Sequence, residues 1–397
     1  MASYSATERR RSSGGTSLLY DPRVRGIFYQ VVVFAAIVGF IYWIVGNTIT
    51  NLQRANIASG FGFLNGRAGF DVSQSLIQYS SDSTYGRAIL VGLLNTLYVA
   101  GLGVITASVI GFLVGIGRLS HNWLIRKICT VYVEIFRNIP PLLVIFFWYF
   151  GVLSVLPQAR ESLSLPLGTY LNNRGFFMPS PVWGEGAWLL PVALLLGVAA
   201  SFVIGRWGRR RQMATGQIFH TVRVSVALII GLPLLALVAT GFPVSFDFPK
   251  LGTFNLTGGA QVKPEFLALY LALSFYTASF IAETVRAGVL GVNKGQTEAA
   301  YAVGLRPGQT MRLIIVPQAL RIIIPPLSSQ YLNLIKNSSL AIAIGYPDLV
   351  AIGGTILNQT GQSVEVVAIW MVIYLGISLI TSALMNWFNA KMALVER

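Results

Sequence analysis

Charged side chains make up only 11% of the 397 residues and hydrophobic ones 54%, so the few ionisable groups that interrupt the apolar stretches stand out. Glu298, Ala299 and Ala300, then Gly304, then Ile314 and Pro317, lie at fixed spacing in a polar and basic stretch, 283–326, between apolar segments. Paired alanines let another surface approach closely, Glu298 offers that surface a charge, and Gly304 accepts a left-handed turn. Lys336, Asn337 and Ser338 fall inside an apolar run. Polar groups at such depth should face the interior of a helix bundle or a water-filled route. Their rival use is packing between subunits, where small and polar residues hold helices together. Glu134 with Arg137, and Glu283 with Arg286, are spaced i,i+3 and suit either local ion pairs or gating groups. Catalytic chemistry finds no support: no nucleophile–base–acid cluster occurs, and the two histidines, His121 and His220, have no ligand-type neighbours. Cys129 is the only cysteine, which excludes an intrachain disulfide. Gly291 to Thr297 lacks the spacing and order of GxxxxGK[ST], so the chain has no nucleotide-binding P-loop of its own.

These groups need elements to hold them. A soluble chain would carry about a quarter charged residues; this one, with mean hydropathy +0.65, reads as a membrane protein. Apolar runs long enough to cross about 30 Å of hydrocarbon as helices are expected near 27–46, which is uncharged, and near 88–117, 139–156, 187–205, 222–240, 266–282, 327–346 and 366–388. The first is too long for a signal-peptide core and has no evident cleavage site, so it reads as an uncleaved span. With the N-terminus inside, 21 of the 29 Lys and Arg fall on inner segments and 7 on outer loops, Lys336 lying within a span. Both chain termini and the 283–326 stretch are therefore expected to be cytoplasmic. The net charge of +15 is then topological bias and not a nucleic-acid footprint. Within 283–326, a helix is expected to start near Gln296, capped by Thr297 with Glu298 in its first turn. It should stop at Gly304 and Pro307-Gly308, and a second helical run, 311–324, should end on Pro325-Pro326. Two short amphipathic helices of this kind form a platform. Gly111 and Gly115 suit close helix packing, and Gly353-Gly354 reads as a turn. The outer loop 157–188, rich in proline and aromatics, reads as interfacial anchoring with a binding-protein dock as the alternative. Arg206 to Arg211 reads as a face for anionic headgroups.

The pattern Glu298-Ala299-Ala300, Gly304, Ile314 and Pro317 resembles the EAA loop of ABC importer permeases, with Val316 where leucine is usual. The bland rival is an amphipathic helix lying on the lipid surface. Further blocks strengthen the resemblance: Gly92 to Leu97, Glu134 to Pro141, Ala282 to Gly288 and Leu334 to Leu340. Together they resemble the polar amino-acid (histidine/glutamine/glutamate) subfamily, over about 88–156 and 266–397. The resemblance implies an all-α polytopic type I ABC importer transmembrane domain with about eight spans, a five-span core plus three extra. It divides the chain into a tail (1–26), a first span and outer loop (27–87), an N-terminal core segment (88–156), an insertion with two extra spans (157–265), and a C-terminal core segment (266–397) that carries the coupling loop. An insertion of two spans leaves the 283–326 loop on its original side. This layout is similar to a Q-type membrane subunit of a general L-amino-acid transporter, with glutamate/glutamine/aspartate permeases close by. The resemblance also implies an inner-membrane location and an ATPase dimer that holds ATP-Mg, no cofactor being bound by this chain. The remaining implied partners are a second permease subunit, a periplasmic amino-acid-binding protein, membrane lipid and the amino-acid substrate, with no nucleic acid. An ATP-independent secondary carrier or channel is the alternative, and a membrane enzyme is remote.

Overall fold

The computed structural model describes residues 22–54, 60–252 and 255–392; the tail expected at 1–26 lies outside them as far as residue 21. Seven helices among the described residues are long and apolar enough to cross a membrane, eight if a bent pair counts as one span. α1 (Pro22–Arg54) is longer than the expected 27–46, and its apolar segment is wholly unburied. α2 (Tyr85–Gly117) starts where the Thr84 side chain accepts from the Arg87 amide. α3 (Trp123–Asn138) is capped by Asn122, which accepts from Leu124 and Ile125.

The third span departs from expectation. α3 meets α4 (Pro141–Phe146) and its π-helical continuation Phe147–Leu153 at an angle of 111°. The break follows from local chemistry: Ile139 precedes a proline and is pushed into the extended region (φ −106°), and Pro140 has no amide to continue the ladder. The 139–156 span is thus the second arm of a broken pair.

The insertion holds more than helices. The 157–188 stretch, read as a loop, forms β1 (Leu163–Leu165), β2 (Thr169–Asn172), β3 (Gly175–Met178) and β4 (Ser180–Trp183). Then come α5 (Leu189–Thr215) and α6 (Thr221–Ala239), an antiparallel hairpin, followed by β5 (Val244–Asp247), β6 (Lys250–Leu251), β7 (Leu256–Thr257) and β8 (Ala260–Val262). β1-β2-β3-β8 make one antiparallel sheet, while β4 pairs with β5 and β6 with β7. Phe177 packs with Ala159 and Leu256 beneath it. α5 runs ten residues beyond the expected 205, through the Arg206–Arg211 segment.

The core is built around α7 (Pro264–Leu290), whose apolar window is 61% buried against 33% for α2. A Cβ on Gly111 would lie 2.6 Å from Ile281, and one on Gly115 would lie 2.8 Å from Val285 and from the Ala282 carbonyl. The small-residue face read from sequence is therefore the α2–α7 contact. After α7 come α8 (Lys294–Ala302), α9 (Pro307–Thr310) and a π-helical turn, Met311–Ile315. α10 (Val316–Asn337) runs unbroken through Pro325 and Pro326, so the second platform helix expected to end there is the start of the span itself. The prolines leave the Arg321 and Ile322 carbonyls without helical donors, a loss that a membrane bundle tolerates. The chain tightens to a 3-10 helix over Ser338–Ile344 and turns at Gly345 (φ 77°). α11 (Leu349–Thr360) is about 18 Å long, too short to span. Gly353 and Gly354 lie inside it rather than at a turn, and a Cβ on Gly353 would overlap the indole of Trp370 in α12 (Ser363–Met392).

Candidate functional site

α8 carries the Glu298-Ala299-Ala300 triplet, and each of its ends has an identifiable cause. Asn293, not Thr297, caps it: its carboxamide oxygen accepts from the Gly295 amide at 2.8 Å. At the other end the Gly304 amide donates to the Tyr301 carbonyl at 2.9 Å and the Leu305 amide to the Ala300 carbonyl at 3.0 Å. That is a Schellman stop, and it needs Gly304 at φ 80°. Ala300 is the one buried residue of α8, while Glu298, Ala299, Tyr301 and Ala302 are exposed. Gln318 of α10 donates to the Gln296 side chain at 3.2 Å and to the Ile314 carbonyl at 3.1 Å, tying α8 to the foot of α10. Ile314 is half-buried behind α8 and Pro317 is exposed at the first turn of α10. The six pattern residues thus belong to one unit: an exposed short helix, a glycine stop and an anchor on a span.

The i,i+3 reading of the ion pairs holds for one of the two. Arg286 meets Glu283 at 2.7 Å, but Glu134 and Arg137 do not pair with each other. Arg137 reaches Glu283 (3.7 Å), and Glu134 faces Arg118 (3.8 Å) at the end of α2. Arg118 also contacts Glu283 directly. Tertiary packing overrides the local spacing because α2, α3 and α7 end together, and a carboxylate midway among three guanidiniums is better compensated than a lone pair. Arg118 is the residue that sequence reasoning missed; its side chain is only 9% exposed. Beside this cluster a depression of about 300 Å³ opens between α7 and α10, lined by Arg137, Phe280, Glu283, Thr284, Ile322 and Gln330 among others.

Lys336 is exposed, Asn337 half-buried and Ser338 enclosed. The Ser338 hydroxyl donates to the Ile335 carbonyl at 2.7 Å, so it is satisfied within its own helix. Of the three, Lys336 is the one that stands open to its surroundings.

A second polar centre joins α2 to α11. Gly92 lets the helices touch, since a Cβ there would lie 2.9 Å from the Leu349 Cα. Asn95 donates to the Gln74 and Pro347 carbonyls (2.8 and 2.9 Å), Tyr346 donates to the Asn95 carbonyl (3.1 Å), and Thr96 accepts from the Leu349 amide (3.1 Å). Asp348 caps α11 by accepting from Ala351 at 2.8 Å, yet its side chain is fully buried and Oδ2 has no hydrogen-bond partner among the described residues. Burial pushes this carboxyl up to about 7, outweighing the backbone hydrogen bonds that lower it. The Gly92-to-Leu97 motif pointed here, though not to the acid it meets.

Among the described residues no cluster of histidine, cysteine or carboxylate side chains suits a metal. The described residues thus form a bundle of spans with an exposed short helix anchored at the foot of one of them. The chain belongs to the family described as the binding-protein-dependent transport system inner membrane component, whose model matches residues 107–394. It is 65% identical to the general L-amino acid transport system permease protein AapQ of Rhizobium johnstonii, over 96% of this chain and 95% of the relative. It is 50% identical to the putative amino-acid ABC transporter permease protein YhdX of Escherichia coli, over 98% of this chain and all of the relative. It is also 43% identical to the glutamate/glutamine/aspartate/asparagine transport system permease protein BztB of Rhodobacter capsulatus, over 96% of each chain. The chain is thus a multi-span permease subunit of an ABC transporter, as the EAA-like pattern implied.

Proposed function

We propose that this chain moves L-amino acids of broad specificity inward, as one half of the membrane pore of an importer whose ATPase activity resides on separate subunits. The names of the three relatives support the substrate class, and the lack of a P-loop supports the division of labour. The partners under this reading are an ATPase dimer holding ATP-Mg, a second permease subunit and an extracytoplasmic binding protein. Both termini and α8 face the cytoplasm, following the distribution of basic residues.

The observation that carries the coupling role is α8 itself, open on its Glu298, Ala299 and Tyr301 side and fastened to a span through Ala300 and Gln318. A helix exposed on one side and rigidly held on the other transmits displacement. ATP-driven closure of the ATPase dimer would move α8, with Glu298, Ala299, Ala300, Gly304, Ile314 and Pro317 as the coupling unit. The spans then shift between inward- and outward-open states because the ATPase contacts the two states differently. Lys336 and Asn337 face the substrate route with Ser338 behind them. Glu283, Arg286, Glu134 and Arg137 hold the inner ends of the spans together and release during the cycle.

The test is ATP-dependent amino-acid uptake in vesicles carrying the assembled transporter, comparing Glu298→Lys with wild type. Normal insertion with loss of both ATPase association and uptake supports the reading. Full uptake by the variant would overturn it in favour of an ATP-independent carrier.

A further inference from the structure

Of the 29 basic residues, five crowd one end of the α5–α6 hairpin, in a stretch with no acidic residue between Glu185 and Asp247. α5 packs against α6, and neither has a comparable interface with the core helices. The junction is tight: Gly208 is buried, and a Cβ there would lie 2.8 Å from the Thr221 hydroxyl. Arg206, Arg209 and Arg210, at i, i+3 and i+4, share one face of α5, and Arg223 stands in the first turn of α6 at the same end. None of these, nor Arg211, has a carboxylate partner among the described residues.

Two arginines are braced by stacking instead. The Arg206 guanidinium lies 4.2 Å from the Phe202 ring and that of Arg211 5.4 Å from Trp207, which packs edge-on against Phe219 at 5.2 Å. Arg211 also donates to Gln217 at 2.9 Å. The first turn of α6 has no side-chain cap; the Thr221 amide donates to the Phe219 carbonyl at 2.7 Å, and the helix dipole adds to the same positive field. Below this end the hairpin is an exposed apolar surface that includes Phe202, Val203, Val226 and Ile230.

We infer that this end of the hairpin is a retained binding site for an anionic phospholipid. The arginine face takes the headgroup phosphate, and the adjoining apolar helix surface takes the acyl chains. Guanidinium–phosphate recognition favours arginine over lysine through its planar fork, and all five cations here are arginine. Because the flanking apolar surface belongs to two spans, the arginines stand at the depth where headgroup phosphates lie.

The assembled transporter is reconstituted in phosphatidylcholine vesicles with and without a minority of phosphatidylglycerol. It is then re-extracted, and the phospholipid that stays bound is quantified by native mass spectrometry across ionic strength. The variant is Arg209→Gln/Arg210→Gln/Arg223→Gln, which spares the stacked Arg206 and Arg211. Each arginine contributes about a fivefold factor near an anionic surface, so the triple variant is expected to bind phosphatidylglycerol on the order of a hundredfold more weakly, with a shallower salt dependence. The triple lysine variant should keep the salt slope yet retain less lipid than wild type. Equal retention by wild type and the glutamine variant would overturn the inference. So would loss of ATPase subunits with lipid retention unchanged, which would assign the patch to a protein partner. Should the glutamine variant fail to assemble, wild type alone decides: no preference for phosphatidylglycerol over phosphatidylcholine at low salt refutes the site.

Discussion

Replacing Glu283 with glutamine preserves its shape and removes the one carboxylate on which three guanidiniums converge: Arg286 at 2.7 Å, Arg137 at 3.7 Å and Arg118 in direct contact. The outcome rests on Arg118. Its side chain is 9% exposed, and the only other carboxylate paired with it among the described residues, Glu134, is 3.8 Å away and 56% exposed. Removing one partner of a buried pair costs about 3–5 kcal/mol. Residual help from Glu134 and the 24% exposure of Glu283 bring the expectation to roughly 2–3 kcal/mol. Arg286→Gln removes an i,i+3 partner whose side chain is 34% exposed, against 9% for Arg118, and leaves Glu283 two other partners, so it should cost only about 0.5–1 kcal/mol. Arg118→Gln removes the buried charge itself and leaves Glu283 two other partners, so it should cost about 1 kcal/mol. In the double variant Glu283→Gln/Arg118→Gln no buried charge is stranded, and the combined loss should be smaller than the sum of the singles. Thermal unfolding of the purified complex in detergent measures these four values. If Glu283→Gln costs no more than Arg286→Gln, or if the double variant loses at least the sum, the cluster does not work as a compensated hub.

Two further perturbations test the α2–α11–α12 corner. Gly353→Val should separate α11 from α12, because its side chain would overlap Trp370 and break the 3.1 Å bond that Trp370 donates to the Leu349 carbonyl. A loss of about 1–3 kcal/mol in thermal stability and a red shift in tryptophan emission are expected, and unchanged emission would count against the contact. Asp348 sets a pH dependence of a particular sign. Burial raises its folded-state pKa to about 7 from the ordinary aspartate value of 3.8, so the folded protein holds a proton that the unfolded chain has released. This contribution to stability is full below the unfolded value and declines as pH rises toward 7, by on the order of 4 kcal/mol at most. Asp348→Asn should flatten that slope while keeping the Ala351 cap, and an unchanged melting-temperature profile would refute the assignment.

The spans were legible because membrane burial is written as length and apolarity, which are local properties. The exposed helix was legible too: the Glu298-Ala299-Ala300 triplet and the Gly304 stop lie within a few residues of one another, so local spacing carried that much of the geometry. What escaped depended on distant neighbours. Glu134 and Arg137 look like a pair until α2 delivers Arg118 between α3 and α7. Pro325-Pro326 reads as a stop when the helix is considered alone, yet packing of Ile323, Ile324 and Leu327 into the core carries the helix through. Gly353-Gly354 reads as a turn, whereas the missing side chain serves Trp370. The strands at 163–183 went unread because the segments are three or four residues long, too short for alternation to show.

The passage of α10 through two prolines gives that helix a mechanical character. Its lower half, from Val316 to Pro325, is about 15 Å long and is fastened to α8; its upper half, from Pro326 to Asn337, is about 18 Å long and ends beside Lys336. Between them the backbone lacks two successive rungs of its ladder and is locally softer in bending than the stretches on either side. Under the proposed coupling role, a push on α8 would divide between sliding the rod and flexing this elbow. The stiffness of one dipeptide would then set the gearing between a motion at the foot of the helix and the tilt of its far end.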